Sequence, residues 1–267
     1  MSTVGLSQNP GVIEASFVAR RAAGHKSLVI YLTGGLPGWQ DHVRAAADAG
    51  ADLIEIGIPF SDPVMDGPII QASSERALAA GATPVSVLDE AASLDAGCPL
   101  AVMTYYNLVY RFGLERFAHT AKKSGIEGAI LPDLPLEEAG EWCSAADAAG
   151  IETIMLAAPT GSDERLARVA ERARGFVYGV GLLGITGERD ALARSATEIA
   201  TRLKAVTDKP VLVGVGISTP AQAVETSRIS DGVIVGSAIV RRSVEVGTPE
   251  SVGSLVAEFR AALDAEY

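Results

Sequence analysis

Apolar and polar positions follow one another along this chain in a repeating order. A short, β-branched run is followed by a turn rich in Gly, Pro or Asp, and then by an Ala-rich amphipathic stretch. The runs fall at residues 27–33 (SLVIYLT), 52–58, 100–104, 128–131, 151–156, 175–178, 210–213 and 233–235. Helical periodicity covers about 39–49, 69–80, 114–124, 137–149, 163–174, 190–206, 219–226 and 249–265. One further helix over about 10–23 precedes the first run, and another over 84–94 falls before the third. Short apolar runs without polar alternation suit strands covered on both faces, and strands that alternate with helices imply parallel pairing through crossovers. Eight such units in a chain of 267 residues predict an α/β fold, a (β/α)8 TIM barrel with an extra N-terminal helix and extra short helices. A doubly wound sheet is the alternative. No Gly/Ser tract or low-complexity linker interrupts the pattern, so residues 1–267 read as one domain. In such a barrel the chemistry belongs to the loops after the strands.

The second run departs from the pattern. Residues 51–71 read ADLIEIGIPFSDPVMDGPIIQ, which sets Glu55 among Leu53, Ile54, Ile56 and Ile58 with no basic residue in the stretch. An unpaired carboxylate in a covered strand is costly to bury. The loop that follows carries Pro59, Asp62, Pro63 and Asp66, and Asp66 is far enough along to fold back over the strand's end. One carboxyl in an apolar wall and a second above it acquire different proton affinities and different roles. The structural alternative is a distant Lys or Arg that pairs with Glu55, with the aspartates serving as turn formers.

Other unusual residues also follow strand-like runs: Tyr105, Tyr106 and Asn107 after the third, Asp133 after the fourth, and Tyr178 at the end of the sixth. Glycines concentrate after the last three, at Gly184 and Gly187, Gly214 and Gly216, and Gly236 with Ser237. Glycine lets backbone N–H groups approach an anion closely, and Gly236-Ser237-Ala238 is placed to open a short helix whose N-terminus adds its dipole. These convergent loops predict a phosphorylated small-molecule substrate.

Composition narrows the field. A net charge of −11 argues against nucleic acid and against anionic membrane surfaces. No apolar stretch approaches the ~20 residues of a membrane span, and the N-terminus lacks the apolar core of a signal peptide, so the expected location is the cytoplasm. Cys98, Cys143, His25, His42 and His119 show no metal-ligand spacing. GVGLLG at 179–184 matches G-x-G-x-x-G formally, yet it follows the sixth run rather than the first, and the acid at the expected distance, Glu198, falls within a helical stretch.

With these residues in view, the chain resembles the tryptophan synthase α subunit family. LIEIGIPFSDPVMDGPIIQ is similar to the family's signature around its two acids, and LTGGLPG, MTYYNLVYRFG, LPDLPLEE, GITG, VGVGIS and VIVGSAIV follow in the family's order. The resemblance implies a lyase that splits indole-3-glycerol phosphate into indole and glyceraldehyde 3-phosphate by a retro-aldol reaction. It implies Glu55 as general acid/base and Asp66 as acceptor of the indole N–H. Tyr178 would stand near the glutamate and the substrate, with Gly187, Gly216, Gly236 and Ser237 as phosphate ligands. Tyr31, Met103, Tyr105, Ile130 and Thr186 would line the indole pocket. The family further implies a pyridoxal-phosphate β subunit in an αββα complex, contacted through the loop from Pro59 to Asp66, and no cofactor or metal in this chain. A stand-alone lyase and a non-catalytic phosphate-binding paralogue are the alternatives. An indole-3-glycerol-phosphate synthase would need a catalytic lysine on an early strand, which runs one to three lack. Between Tyr178 and Thr186 the chain reads GVGLLGI where the family often carries a polar segment.

Overall fold

The computed structural model describes residues 9–181, 189–214 and 216–267, with the side chains of the helix that opens at residue 189 described from Ser195 onward. Eight parallel strands close into a barrel in sequence order: β1 Ser27–Thr33, β2 Leu53–Gly57, β3 Leu100–Met103, β4 Ile126–Ile130, β5 Glu152–Ala157, β6 Val177–Gly179, β7 Val211–Val213 and β8 Gly232–Val235. The barrel is sealed by β1 pairing with β8, Val29 opposite Ile234. The doubly wound alternative is thereby excluded.

Two hydrophobic layers explain why the strand runs lack polar alternation. Outward residues such as Ile54, Ile56 and Val102 pack under the helices, while Val29, Leu53, Ala101, Ile154, Leu212 and Ile234 fill the barrel. The surrounding helices are α1 Val12–Ala22, α2 Trp39–Asp48, α3 Pro68–Ala79, α4 Pro84–Ala91, α5 Tyr106–Phe112, α6 Leu114–Lys123, α7 Gly140–Ala149, α8 Asp163–Arg172, α9 Arg189–Lys204, α10 Pro220–Ser227, α11 Ser237–Glu245 and α12 Pro249–Glu266. The extra helix before the third strand is α4. Helix α5 lies where the sequence periodicity predicts no helix. Its N-terminus carries no local cap; instead Asp133, from the loop after β4, accepts the Tyr106 N–H at 2.9 Å. A cap delivered from 27 residues away leaves no mark in the local sequence.

Helix α1 closes the bottom of the barrel. Ile13 and Phe17, one turn apart, enter the inner layer, and Phe17 meets Phe176 with ring centroids 5.5 Å apart. The Glu152 carboxylate accepts the N–H groups of Ile13 (2.8 Å) and Glu14 (3.0 Å), which satisfies two unpaired donors at the helix start and complements its dipole. Gly128 makes the room, since a Cβ there would lie 2.6 Å from Ile13 Cδ1. With the base plugged, access to the interior is confined to the strands' C-terminal mouth. No described helix is long and apolar enough to cross a membrane.

Candidate active site

Strand geometry decides which side chains reach the mouth. In β2, Leu53 faces the barrel interior while Ile54 and Ile56 face the helices, so Glu55 points inward, one step above Leu53. Its register neighbours are Tyr31 on β1 and Ala101 on β3. Glu55 is 1% exposed, and its Oε2 has no hydrogen-bond partner among the described residues. Burial, and then the nearby Asp66, push its pKa up to about 8. No described Lys or Arg pairs with it, so the alternative of a distant cation for Glu55 fails, and its burial favours the neutral carboxyl.

Asp66 hangs from the loop between β2 and α3. Its carbonyl accepts the Gln71 side-chain amide at 2.7 Å, and α3 is tied to the end of β1 by the Thr33 and Ser73 hydroxyls, 2.6 Å apart. Burial raises the Asp66 carboxyl above its ordinary pKa, and a hydrogen bond from Tyr105 opposes that rise. Two carboxyls therefore meet in one place under different influences, one sealed in an apolar wall and one held by a phenol.

The phenols nearest the acids remain protonated. Tyr31 and Tyr178 are held well above the ordinary tyrosine pKa, by burial first and by the neighbouring carboxyls second. Each hydroxyl occupies space that a glycine leaves free. A Cβ on Gly57 would lie 1.9 Å from Tyr31 Oη, and one on Gly214 would lie 2.6 Å from Tyr178 Oη.

A cavity of about 350 Å³ opens above these groups. It brings together Tyr31, Glu55, Asp66, Met103, Ile130 and Tyr178 with Gly216, Gly236 and Ser237. Its remaining walls include Ile70, Pro132, Leu156 and Ile217, which the sequence reading did not single out. Leu156 had a signal, since it continues the inward alternation of β5 beyond Ile154. The other three stand on loops or a helix, where no strand period identifies them. Tyr105 is absent from the lining and stands behind the acid loop instead. Thr186 and Gly187 lie outside the described residues.

The two ends of the cavity differ in chemistry. One end is acidic and apolar. At the other, α11 begins at Ser237, and the first intrahelical bonds run from Ile239 and Val240 back to the Gly236 carbonyl. The amides ahead of them have no partner within the helix, which suits this terminus to an anion. Gly216 at its rim has φ +61°, a conformation that disfavours any side chain, so the backbone there is bare. Among the described residues no cluster of His, Cys, Asp or Glu has the makings of a metal site.

A plugged parallel barrel with two dissimilar carboxyls, an apolar slot and a helix terminus suited to an anion at its C-terminal mouth defines a barrel enzyme for a small phosphorylated substrate. The chain belongs to the tryptophan synthase alpha chain family, whose model matches residues 17–262. Its reaction is the cleavage of indole-3-glycerol phosphate, a lyase reaction. The tryptophan synthase alpha chain of Thermobifida fusca is 42% identical over 261 residues, spanning 95% of this chain and 97% of the relative. That of Gloeobacter violaceus is 44% identical over 257 residues, 94% and 93% of the two chains. Among solved structures, tryptophan synthase from Mycobacterium tuberculosis matches with a TM-score of 0.88 at 37% identity, covering 96% of this chain and 99% of that one. The alpha subunit from Legionella pneumophila matches with a TM-score of 0.86 at 32% identity, covering 96% and 100%.

Proposed function

We propose that Glu55 and Asp66 carry the cleavage between them, and the observation behind this is the unpartnered, buried Glu55 oxygen facing the same cavity as Asp66. Breaking the bond between the indole ring and the glycerol phosphate requires a proton on the ring carbon and removal of one from the adjacent hydroxyl. A Glu55 that is neutral at rest delivers the first proton and, as a carboxylate, takes back the second while the hydroxyl carbon becomes the aldehyde. The group returns to its starting state, with no net proton gained or lost. A carboxyl with a pKa near the working pH suits both halves of that cycle. Asp66, ionised, accepts the indole N–H and offsets the positive charge that the ring acquires between the two steps.

Substrate placement follows the two ends of the cavity. Met103, Ile130 and Leu156 supply flat apolar walls for the indole, and the amides at Gly216, Gly236 and Ser237 receive the phosphate. Thr186 and Gly187 are assigned to the same site by the family motif. The acid loop carries exposed apolar side chains, Val64 at 77% and Met65 at 47%, the latter also lining the cavity. An apolar rim beside an active-site mouth suits a partner. We assign this face to a pyridoxal-phosphate β subunit in an αββα assembly that takes up the indole, with the chain itself working in the cytoplasm. Both proton movements pass through the Glu55 carboxyl, and the pyridoxal phosphate belongs to the β subunit's half of the reaction.

The test is indole release from indole-3-glycerol phosphate with and without a tryptophan synthase β subunit, in wild type and in Val64→Asp. The partner accelerates wild type and fails to accelerate the variant. Equal rates with and without partner would instead identify a stand-alone lyase.

A further inference from the structure

Tyr105 is buried, at 4% exposure, yet does not line the cavity. Its surroundings belong to the acid loop. The hydroxyl oxygen accepts the Met65 N–H at 2.9 Å, and the ring stacks on Phe60 with centroids 4.9 Å apart and planes 27° from parallel. A phenol that accepts from a backbone amide still carries its own proton, and a buried hydroxyl needs an acceptor for it. The carboxyl next along the chain from Met65 is that of Asp66, which is close enough to interact with this hydroxyl. The residue is held in turn from its other side. Tyr105 is the N-cap of α5, and Asp133 fixes the first amide of that helix, so strands β3 and β4 both brace the phenol.

We infer that Tyr105 is a positioning residue, whose one hydroxyl seats the acid loop through Met65 and orients the Asp66 carboxyl as an ionised acceptor. Through this atom the loop's seating and the acid's proton affinity become one property. When Met65 shifts, the phenol shifts with it, and the carboxyl loses the donor that offsets its burial. This rests on the assignment of Asp66 as the group that must be ionised to receive the indole N–H. It goes beyond the pocket-lining role that the family motif implies for this tyrosine, because the ring and hydroxyl both contact the acid loop.

The decisive variant is Tyr105→Phe in the full chain, which keeps the stack on Phe60 and removes only the hydroxyl. Loss of one hydrogen bond to a charged group corresponds to a roughly ten- to hundredfold change in proton affinity, or about one to two pH units upward for Asp66. The probe is protein labelled with 13C at the aspartate carboxyls, with the Asp66 resonance identified by its disappearance in Asp66→Asn. Alongside it, kcat/KM for indole release is measured from pH 5 to pH 8. The expected result is a raised Asp66 titration and a deficit in kcat/KM that is largest at low pH and shrinks as pH rises. A merely structural tyrosine would lower the rate by the same factor at every pH and leave the titration in place, and that result overturns the inference. The two readings fail separately. If Asp66→Asn releases indole at the wild-type rate, the assignment of Asp66 itself is wrong. If Asp66→Asn is inactive while Tyr105→Phe titrates like wild type, only the role of Tyr105 is lost.

Discussion

Replacing Glu55 with glutamine removes an ionisable group while keeping its shape, so it tests how the barrel holds this carboxyl. In wild type, burial lifts the pKa from 4.5 to about 8. Below the lower value the group is neutral in folded and unfolded chains alike, and its ionisation costs the fold nothing. Above it, the unfolded chain releases the proton while the folded chain retains it, so stability falls with rising pH until the folded pKa is passed. At about 1.4 kcal/mol per pH unit, the loss attributable to this one group is roughly 3 kcal/mol at pH 7 and ~5 kcal/mol above pH 8. Glu55→Gln does not ionise and escapes this loss. Its advantage over wild type therefore grows from near zero at pH 4.5 to several kcal/mol at pH 8.5. Urea unfolding midpoints of the two proteins at pH 5, 7 and 8.5 read the difference directly. A stability gap that is constant across that range would refute the reasoning, because it would mean that the folded carboxyl titrates like an exposed one.

Three further expectations follow from the same geometry. The rate of indole release falls as pH rises through about 8, where Glu55 loses its proton, and falls again at low pH through the raised titration of Asp66; a pH–rate profile flat up to pH 9 would contradict the first limb. Gly214→Ala places a Cβ 2.6 Å from Tyr178 Oη and 2.9 Å from Ile234 Cβ. It should cost about 1–3 kcal/mol of stability and raise KM as Tyr178 is driven into the cavity, both read by denaturation and steady-state kinetics. Glu152→Ala removes the acceptor for two amides of α1 and should lower stability by about 1–2 kcal/mol, with kcat unchanged because the plug lies at the far end of the barrel from the acids.

How far the sequence reaches into this molecule depends on whether a feature is local. The barrel was legible because each strand and helix carries its own period, and Glu55 because an acid in Leu53–Ile58 contradicts its neighbours. Asp66 was legible from its distance along the loop. That Gly216, Gly236 and Ser237 meet at one mouth could be read from the glycines that cluster after the last strands. What could not be read depends on contacts across the chain. Helix α5 is capped by Asp133 from another loop. Tyr105 meets the acid loop through Phe60 and Met65, and no spacing along MTYYNLVYRFG encodes those contacts. Ile70, Pro132 and Ile217 enter the wall only because a helix start and two separate loops converge on one mouth. The plug formed by Ile13 and Phe17 is a further case, since the helix was evident but the Glu152 that anchors it reads as an ordinary strand residue.

The central claim is that Glu55 carries the proton to the indole carbon and recovers one from the hydroxyl. Its most direct test is a single-turnover measurement of indole release from indole-3-glycerol phosphate by wild type and Glu55→Gln, with affinity for a non-cleavable glycerol phosphate analogue measured on the same samples. The account predicts unchanged analogue binding and a loss of the cleavage rate on the order of 10²–10⁴-fold. Glutamine that binds the analogue and still releases indole at the wild-type rate would contradict it.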